Sequence, residues 1–274
     1  MKILLTNCRL CLKAGSETWT IAMFNYLSKN HDVDVYTSDG VNILIDASYE
    51  IKKHYDLAII NHNTCLHDLE SWNIKKRIFT SHGVLPDLEK AIPGADKYIA
   101  VSEEVQTAII KAGFHASIIR NPIDTDFFTP SSINKRLKNI LYLNNNAMES
   151  PHTRKIIKAC SGNYDFRILA GHKDDVKKHI SWSDLVITLG RGCYESLSCG
   201  KNVIVAGEKL DGIVTPESIF ELRKNNCSGR RFNREWTTED LKQELKKYDS
   251  DRNMRGYILE NNNINFAAEE YLRS

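Results

Sequence analysis

No run of about 18 apolar residues occurs in this 274-residue chain, so the sequence holds no candidate for an apolar spanning helix. It shows no internal repeat and no low-complexity segment, which excludes repeat architectures. Cys8 and Cys11 have the spacing of half a zinc or redox site, but no second pair completes it. The seven cysteines therefore read as reduced thiols, small and partly buried. Charge of one sign is also lacking. Lys and Arg number 37 against 35 Asp and Glu, a net +2 that is too mild to announce a nucleic-acid partner. The start of the chain has no secretion-signal pattern; Met1 to Asn7 reads as a buried strand, and the expected compartment is the cytoplasm. The Gly-x-Gly-x-x-Gly dinucleotide fingerprint does not follow that first strand, which ranks dehydrogenases low.

What is present is an ordinary soluble balance, 42% hydrophobic and 26% charged, patterned as alternating strands and helices. Strands are expected at Ile3–Leu5, His31–Tyr36, Asp56–Ile60, Arg77–Thr80 and Tyr98–Val101, with a helix from about Glu17 to Ser28. Ser102, with Glu103 and Glu104 in the first turn, marks another helix start. Pro122 and Pro130 punctuate a polar segment that reads as a linker. Beyond it the alternation resumes, with strands at Asn139–Leu143, Phe166–Leu169, Leu185–Thr188 and Asn202–Val205. The expected organisation is α/β, with parallel sheets in two Rossmann-like domains, 1–130 and 131–255, and a C-terminal helix over 256–274. Ligands of such sheets bind beyond the carboxyl ends of the strands.

The segment from Ser183 to Val205 reads strand, glycine-flanked turn, helix, glycine stop, strand. Gly190 and Gly192 would let the backbone approach a ligand. The amides at the start of the helix, those of Gly192 and Cys193, would favour an anion. Arg191 would add a charge-assisted bond to a phosphate, and Glu195, one turn on, could accept two ribose hydroxyls. The bland alternative is a strand–turn–helix with an incidental arginine.

Here the sequence resembles the GT-B glycosyltransferases, especially their family 4-like group. Tyr194-Glu195-Ser196-Leu197-Ser198-Cys199-Gly200 is similar to that family's donor-binding run. Gly212-Ile213-Val214-Thr215-Pro216-Glu217 looks like a Val-Thr-Pro-Glu run of a shorter subgroup. Ala14-Gly15-Ser16-Glu17 resembles the first glycine-rich loop. Ala100-Val101-Ser102-Glu103, Ile119 through Asp124 and Phe127-Phe128-Thr129-Pro130 follow the family's order. The resemblance implies a GT-B fold whose two domains face a central cleft. It also implies a nucleoside diphosphate sugar as co-substrate, no further cofactor, no metal, and a retaining reaction. It implies that Glu195 binds the ribose and that His82 contacts the transferred sugar near its reacting carbon; with Arg191, read above as the charge for the phosphate, these are the candidate catalytic residues. Gly15, Ser16, Gly171, His172, Gly190, Gly192, Cys193 and Tyr194 fall on the donor side, and His62 and Asn121 on the acceptor side. It further implies that the last helix returns to the N-terminal domain, where Phe266, Tyr271 and Leu272 would pack.

The sequence departs from the family at three places. Ile187 stands where many members carry a second glutamate, and Pro122 where glycine is usual. The common Gly-Arg…Lys phosphate pair is missing, with His152, Arg154 and Lys155 as the nearest substitutes. The acceptor stays open among a glycan, a lipid, a small molecule and a hydroxymethylated DNA base. For the last, Lys75-Lys76-Arg77, Lys135-Arg136-Leu137-Lys138 and Arg230-Arg231 are the basic stretches. Two other classes remain: a non-catalytic nucleotide-sugar-binding protein, and a sugar-nucleotide epimerase of GT-B shape.

Overall fold

The computed structural model describes residues 1–12, 14–46, 54–148, 150–171 and 175–274. Its strands are β1 (Lys2–Asn7), β2 (Asp32–Thr37), β3 (Leu57–Asn61), β4 (Arg77–Ser81), β5 (Lys97–Ala100), β6 (Ala116–Ile118), β7 (Asn139–Leu143), β8 (Asp165–Leu169), β9 (Leu185–Thr188), β10 (Asn202–Ala206) and β11 (Leu210–Ile213). Its α-helices are α1 (Gly15–Leu27), α2 (Asn63–Asp68), α3 (Glu103–Lys111), α4 (Thr153–Cys160), α5 (Val176–Trp182), α6 (Arg191–Ser198), α7 (Ile219–Leu222), α8 (Thr238–Leu245), α9 (Arg255–Asn261) and α10 (Ile264–Arg273). The chain divides into two compact units. Unit 1 is Met1–Pro122 with Ile264–Ser274, and unit 2 is Ile123–Asn263.

Unit 1 carries a six-stranded sheet in the order β2-β1-β3-β4-β5-β6, parallel throughout. A parallel sheet is covered on both faces, so its central strands are apolar on both. β3 is buried at every position. Successive side chains alternate between two layers. Ile3, Leu5, Leu57 and Ile59 meet Trp19, Met23 and Leu27 of α1, while Leu4, Ala58 and Ile60 meet Cys65, Leu66, Val105 and Ile109 on the other side. Ser102 caps α3 through its hydroxyl, which accepts from the Val105 amide. α10 joins the first layer through Ile264, Ala267, Ala268 and Tyr271, the i, i+3, i+4, i+7 stripe of an amphipathic helix. Tyr271 lies edge-on to Trp19 at 5.6 Å, and its hydroxyl is 3.1 Å from Thr80 Oγ1. Leu272 packs half-buried on the same layer. Phe266 falls off the stripe and is 58% exposed, so the expectation that it packs does not hold.

Unit 2 carries a five-stranded sheet in the order β11-β10-β9-β7-β8, parallel except for the antiparallel edge strand β11. In each sheet the strand order reverses next to the first strand of the unit, between β1 and β3 and between β7 and β9. Such reversal points open a crevice at the carboxyl ends of the strands. They fix where to look for a site in each unit.

Candidate functional site

In unit 2 the first turn of α6 follows β9, one of the two strands at the reversal point. Gly190, its N-cap, has φ +57°, a backbone conformation that favours glycine, and its amide donates to the Cys227 carbonyl at 2.8 Å. A Cβ on Gly192 would stand 2.5 Å from Thr188 Oγ1 and 3.1 Å from Leu143 Cδ2, at the ends of β9 and β7. Gly192 is therefore required for helix–sheet packing at the reversal point, not only for backbone approach to a ligand. Cys193 and Tyr194 were expected on the donor side. Both side chains are fully buried in the core of unit 2, and the Cys193 amide donates to the Gly190 carbonyl at 3.1 Å. Their part is to hold the turn. The first amides of a helix point out of its N-terminal end.

Arg191 and Glu195 sit one turn apart and bind each other. Arg191 Nε donates to Glu195 Oε1 at 2.7 Å, with both side chains about nine-tenths buried. Burial pushes the Glu195 carboxyl up from the usual range, and the Arg191 guanidinium opposes that shift. The two groups that the sequence assigns to phosphate and ribose are thus one buried ion pair, and a ligand would meet them together. Ile187, eight residues earlier, is fully buried, so no side chain reaches the crevice from that position.

The wall beside Gly190 is a segment that sequence patterns missed. Asn226 and Cys227 are consecutive non-glycine residues at φ +53° and +50°. Backbone in this region costs energy and clusters at functional sites. Among the described residues, the next hydroxyl, Ser228 Oγ, is enclosed without a hydrogen-bond partner. Of the substitute phosphate ligands, Lys155 is committed elsewhere. Its Nζ donates to the Trp236 carbonyl at 2.9 Å and lies 5.0 Å from that indole ring. Arg154 is exposed, and His152 packs against Trp236 at 6.0 Å. Gly171 has φ +79° and donates its amide to Asn145 at 3.1 Å. His172 lies outside the described residues.

In unit 1 the ends of β1, β3 and β4 gather a polar cluster at the reversal point. His62 has φ +74°, is 8% exposed, and accepts the Cys8 amide on Nδ1 at 3.0 Å. Burial holds its ring down to about 4. With Nδ1 occupied as an acceptor, the proton of the neutral ring is on Nε2, which faces Glu89 Oε1 at 3.7 Å. Glu89 was not singled out from sequence, because an isolated glutamate in a 3-10 turn (Asp87–Glu89) carries no pattern. It is 7% exposed, and its Oε2 accepts the His82 amide at 2.6 Å. Burial pushes its carboxyl up to about 7; bonds from the His82 amide and the Ser81 hydroxyl act against this, while the Glu17 charge adds to it. His82 is half-buried, with Nε2 2.9 Å from Asn61 Oδ1 and its ring edge-on to Trp19 at 5.4 Å. Gly15 and Ser16 open α1. A Cβ on Gly15 would meet nothing within 4 Å, and the Ser16 hydroxyl donates to Glu17 Oε2 at 3.3 Å. Asn121 is buried beyond the end of β6. The structure thus brings His62 and His82 together around Glu89.

Three Asp-x-Asp triplets occur, a spacing that could hold a divalent cation, and in each at least one carboxylate has structural work. Asp34 accepts the Tyr55 hydroxyl, Asp124 accepts the amides of Asp126 and Phe127, and Asp249 accepts that of Asp251. Among the described residues no group of three His, Cys, Asp or Glu is arranged to hold a metal. All seven cysteines are free thiols. The basic stretches are partly spent. Arg77 donates to the carbonyls of Leu69, Trp72 and Ile74, Lys75 pairs with Asp56, and Arg231 with Glu221. Lys135 and Arg136 are exposed. No helix of the described residues is long and apolar enough to cross a membrane.

No family model matches the sequence, and no curated protein matches it. Solved structures do resemble the fold. HepE from Anabaena, determined with UDP, is 13% identical with TM-score 0.61 over 100% of this chain and 99% of its own. An α-glucosyltransferase determined with UDP and a 13-mer DNA containing an HMU base is 14% identical, TM-score 0.56, over 100% and 98%. AviGT4, a glycosyltransferase of avilamycin A biosynthesis, is 11% identical, TM-score 0.53, over 99% and 96%. In these three the likeness spans nearly the full length of both chains, and at these identities it is a likeness of fold: the protein has the fold of the GT-B glycosyltransferases.

Proposed function

We propose that the protein is a glycosyltransferase that moves a sugar from a nucleoside diphosphate sugar to an acceptor hydroxyl. The observation that carries this reading is the buried Arg191–Glu195 pair in the first turn of α6, at the strand-order reversal of unit 2. Unit 2 takes the nucleotide. Glu195 accepts the ribose hydroxyls, and the Arg191 guanidinium and the first amides of α6 face the diphosphate. A helix terminus contributes roughly 0.3–2 kcal/mol to an anion, and a hydrogen bond from a charged group about 1.5–3 kcal/mol. These groups stabilise the charge that develops as the sugar C1–oxygen bond breaks and its electron pair stays on the diphosphate. The acceptor oxygen forms the new bond to C1, and its proton passes to the departing phosphate oxygen, which retains configuration without a metal. In unit 1, His82 contacts the transferred sugar, and His62 and Asn121 lie on the acceptor side.

A thermal-shift panel of nucleoside diphosphate sugars tests the reading, with UDP-sugars first because two of the similar structures were determined with UDP. A donor at 100 times its dissociation constant stabilises the folded state by roughly 2.7 kcal/mol. No shift with any nucleotide sugar would sink the proposal. A hydroxymethylated DNA base is a second acceptor reading, favoured by the likeness to the glucosyltransferase determined with such DNA. It predicts binding to duplex DNA that weakens steeply with salt; absence of binding at low salt removes it.

A further inference from the structure

A cavity of about 420 Å3 lies at β11, the edge strand of the unit 2 sheet, with β10 between that strand and β9. Ligand sites begin at about 300 Å3, so a ligand of nucleotide size fits it. The backbone groups of a sheet edge need cover, and the segment 231–234 supplies it. The Leu210 amide donates to the Arg234 carbonyl at 3.1 Å. The buried Asp211 carboxylate takes the Arg231 amide on Oδ2 at 3.1 Å and the Phe232 amide on Oδ1 at 2.9 Å. These three bonds fix the backbone that carries Phe232, whose ring lines the cavity and is 51% exposed.

Arg234 and Lys247 line the same cavity, and both are about half exposed. A second buried carboxylate, Glu244, holds them. Its Oε1 accepts from Arg234 Nη2 at 3.1 Å and from Lys247 Nζ at 2.9 Å, and its Oε2 accepts the Ile213 amide at 3.0 Å. Gly212, at φ +91°, makes room for it: a Cβ there would stand 3.0 Å from Oε2. A guanidinium has five N–H groups and an ammonium three, so each cation keeps donors beyond the one given to Glu244.

One exposed aromatic is ordinary on a surface. Here two buried carboxylates fix an aromatic ring and two cations around one space, before any ligand is bound. A bare anion would leave the ring unused, and an apolar partner would bury both cations against carbon. A planar ring with a phosphate attached meets all three groups, since aromatic side chains stack on any base and cations neutralise the phosphate. We propose that this cavity binds one nucleotide unit, its base against the Phe232 ring and its phosphate on Arg234 and Lys247. The site shares no residue with the α6 turn, and it stands whether or not the transferase reading does.

Such a unit comes from a free nucleotide or from a single strand of nucleic acid, and the test separates the two. Protein made with 4-fluorophenylalanine gives a fluorine resonance for each phenylalanine, and the one lost in Phe232→Leu belongs to Phe232. dTMP and a short single-stranded oligothymidylate are titrated in turn. Stacking should move the Phe232 resonance progressively as ligand is added. A response to the oligonucleotide, alone or at lower concentration than to dTMP, identifies a strand; a response to dTMP alone, or equal for the two, identifies a free nucleotide. Arg234→Gln and Lys247→Gln each keep a donor for Glu244 but lose the charge, and should move the midpoint to about tenfold higher ligand concentration. Glu195→Gln, at the α6 turn, should leave the midpoint where it is. A Phe232 resonance that neither ligand moves overturns the proposal. So does a midpoint unchanged in both charge variants, or a response lost in Glu195→Gln, which would mean that the ligand acts from the α6 turn.

Discussion

Glu89 places an ionisable group where water is nearly absent, and this has a consequence in pH. Its carboxyl titrates at 4.5 in the unfolded chain and at about 7 in the folded one. Folding therefore favours the protonated form. The stability it contributes is whole below pH 4.5, declines as pH rises through 7, and is gone above that, a change on the order of 3 kcal/mol. Glu89→Gln keeps an acceptor for the His82 amide and cannot ionise. It should unfold at a higher temperature than wild type at pH 8 and at nearly the same temperature at pH 4.5; an equal difference at both would contradict the buried carboxyl. His62 works in the opposite sense, since its ring is held down to about 4 and must stay neutral to fold. In unit 2, Arg191→Ala leaves the Glu195 carboxyl buried without its cation, which costs roughly 3–5 kcal/mol. Urea unfolding should show that loss, and adding Glu195→Gln should recover most of it. If Arg191→Ala is as stable as wild type, the pair does not form in solution.

The two glycine turns look alike in sequence and differ as elements. Gly192 is boxed in by Thr188 and Leu143, so Gly192→Ala should overpack the α6–sheet contact and destabilise by about 1–3 kcal/mol. Gly15 opens α1 with free space around it, so Gly15→Ala should hold or raise the melting temperature by virtue of helix propensity. If the α1 loop approaches the donor, the same variant weakens nucleotide-sugar binding. Thermal unfolding with and without ligand checks both. Most elements were legible because parallel strands are continuous apolar runs; β7 and β9 fall where the pattern puts them. The three-residue β6 and the short α2 and α7 were not, since elements of this length carry no period to read. The single C-terminal helix expected over 256–274 is two helices, with Asn262 and Asn263 breaking between α9 and α10. Within the site, Glu195 and His82 were visible as motif residues. Glu89 and Asn61 were not, because what joins them to His82 is a pair of bonds, from the 3-10 turn and from β3, that no spacing along the chain encodes.

At the scale of the whole molecule, each unit repeats one device: a parallel sheet whose order reverses beside its first strand, with polar groups gathered at the carboxyl ends there. The two units equip it differently. Unit 1 has histidines and a carboxyl near neutrality; unit 2 has an ion pair at a helix start. The proposed function gives the second of these to the nucleotide, and titration calorimetry with UDP tests that assignment most directly. Wild-type protein should bind UDP, and Glu195→Gln, which removes the proposed acceptor of the ribose hydroxyls, should bind it at least about tenfold more weakly, the equivalent of 1.4 kcal/mol. Equal affinity for UDP in wild type and Glu195→Gln, with both proteins folded, would contradict it.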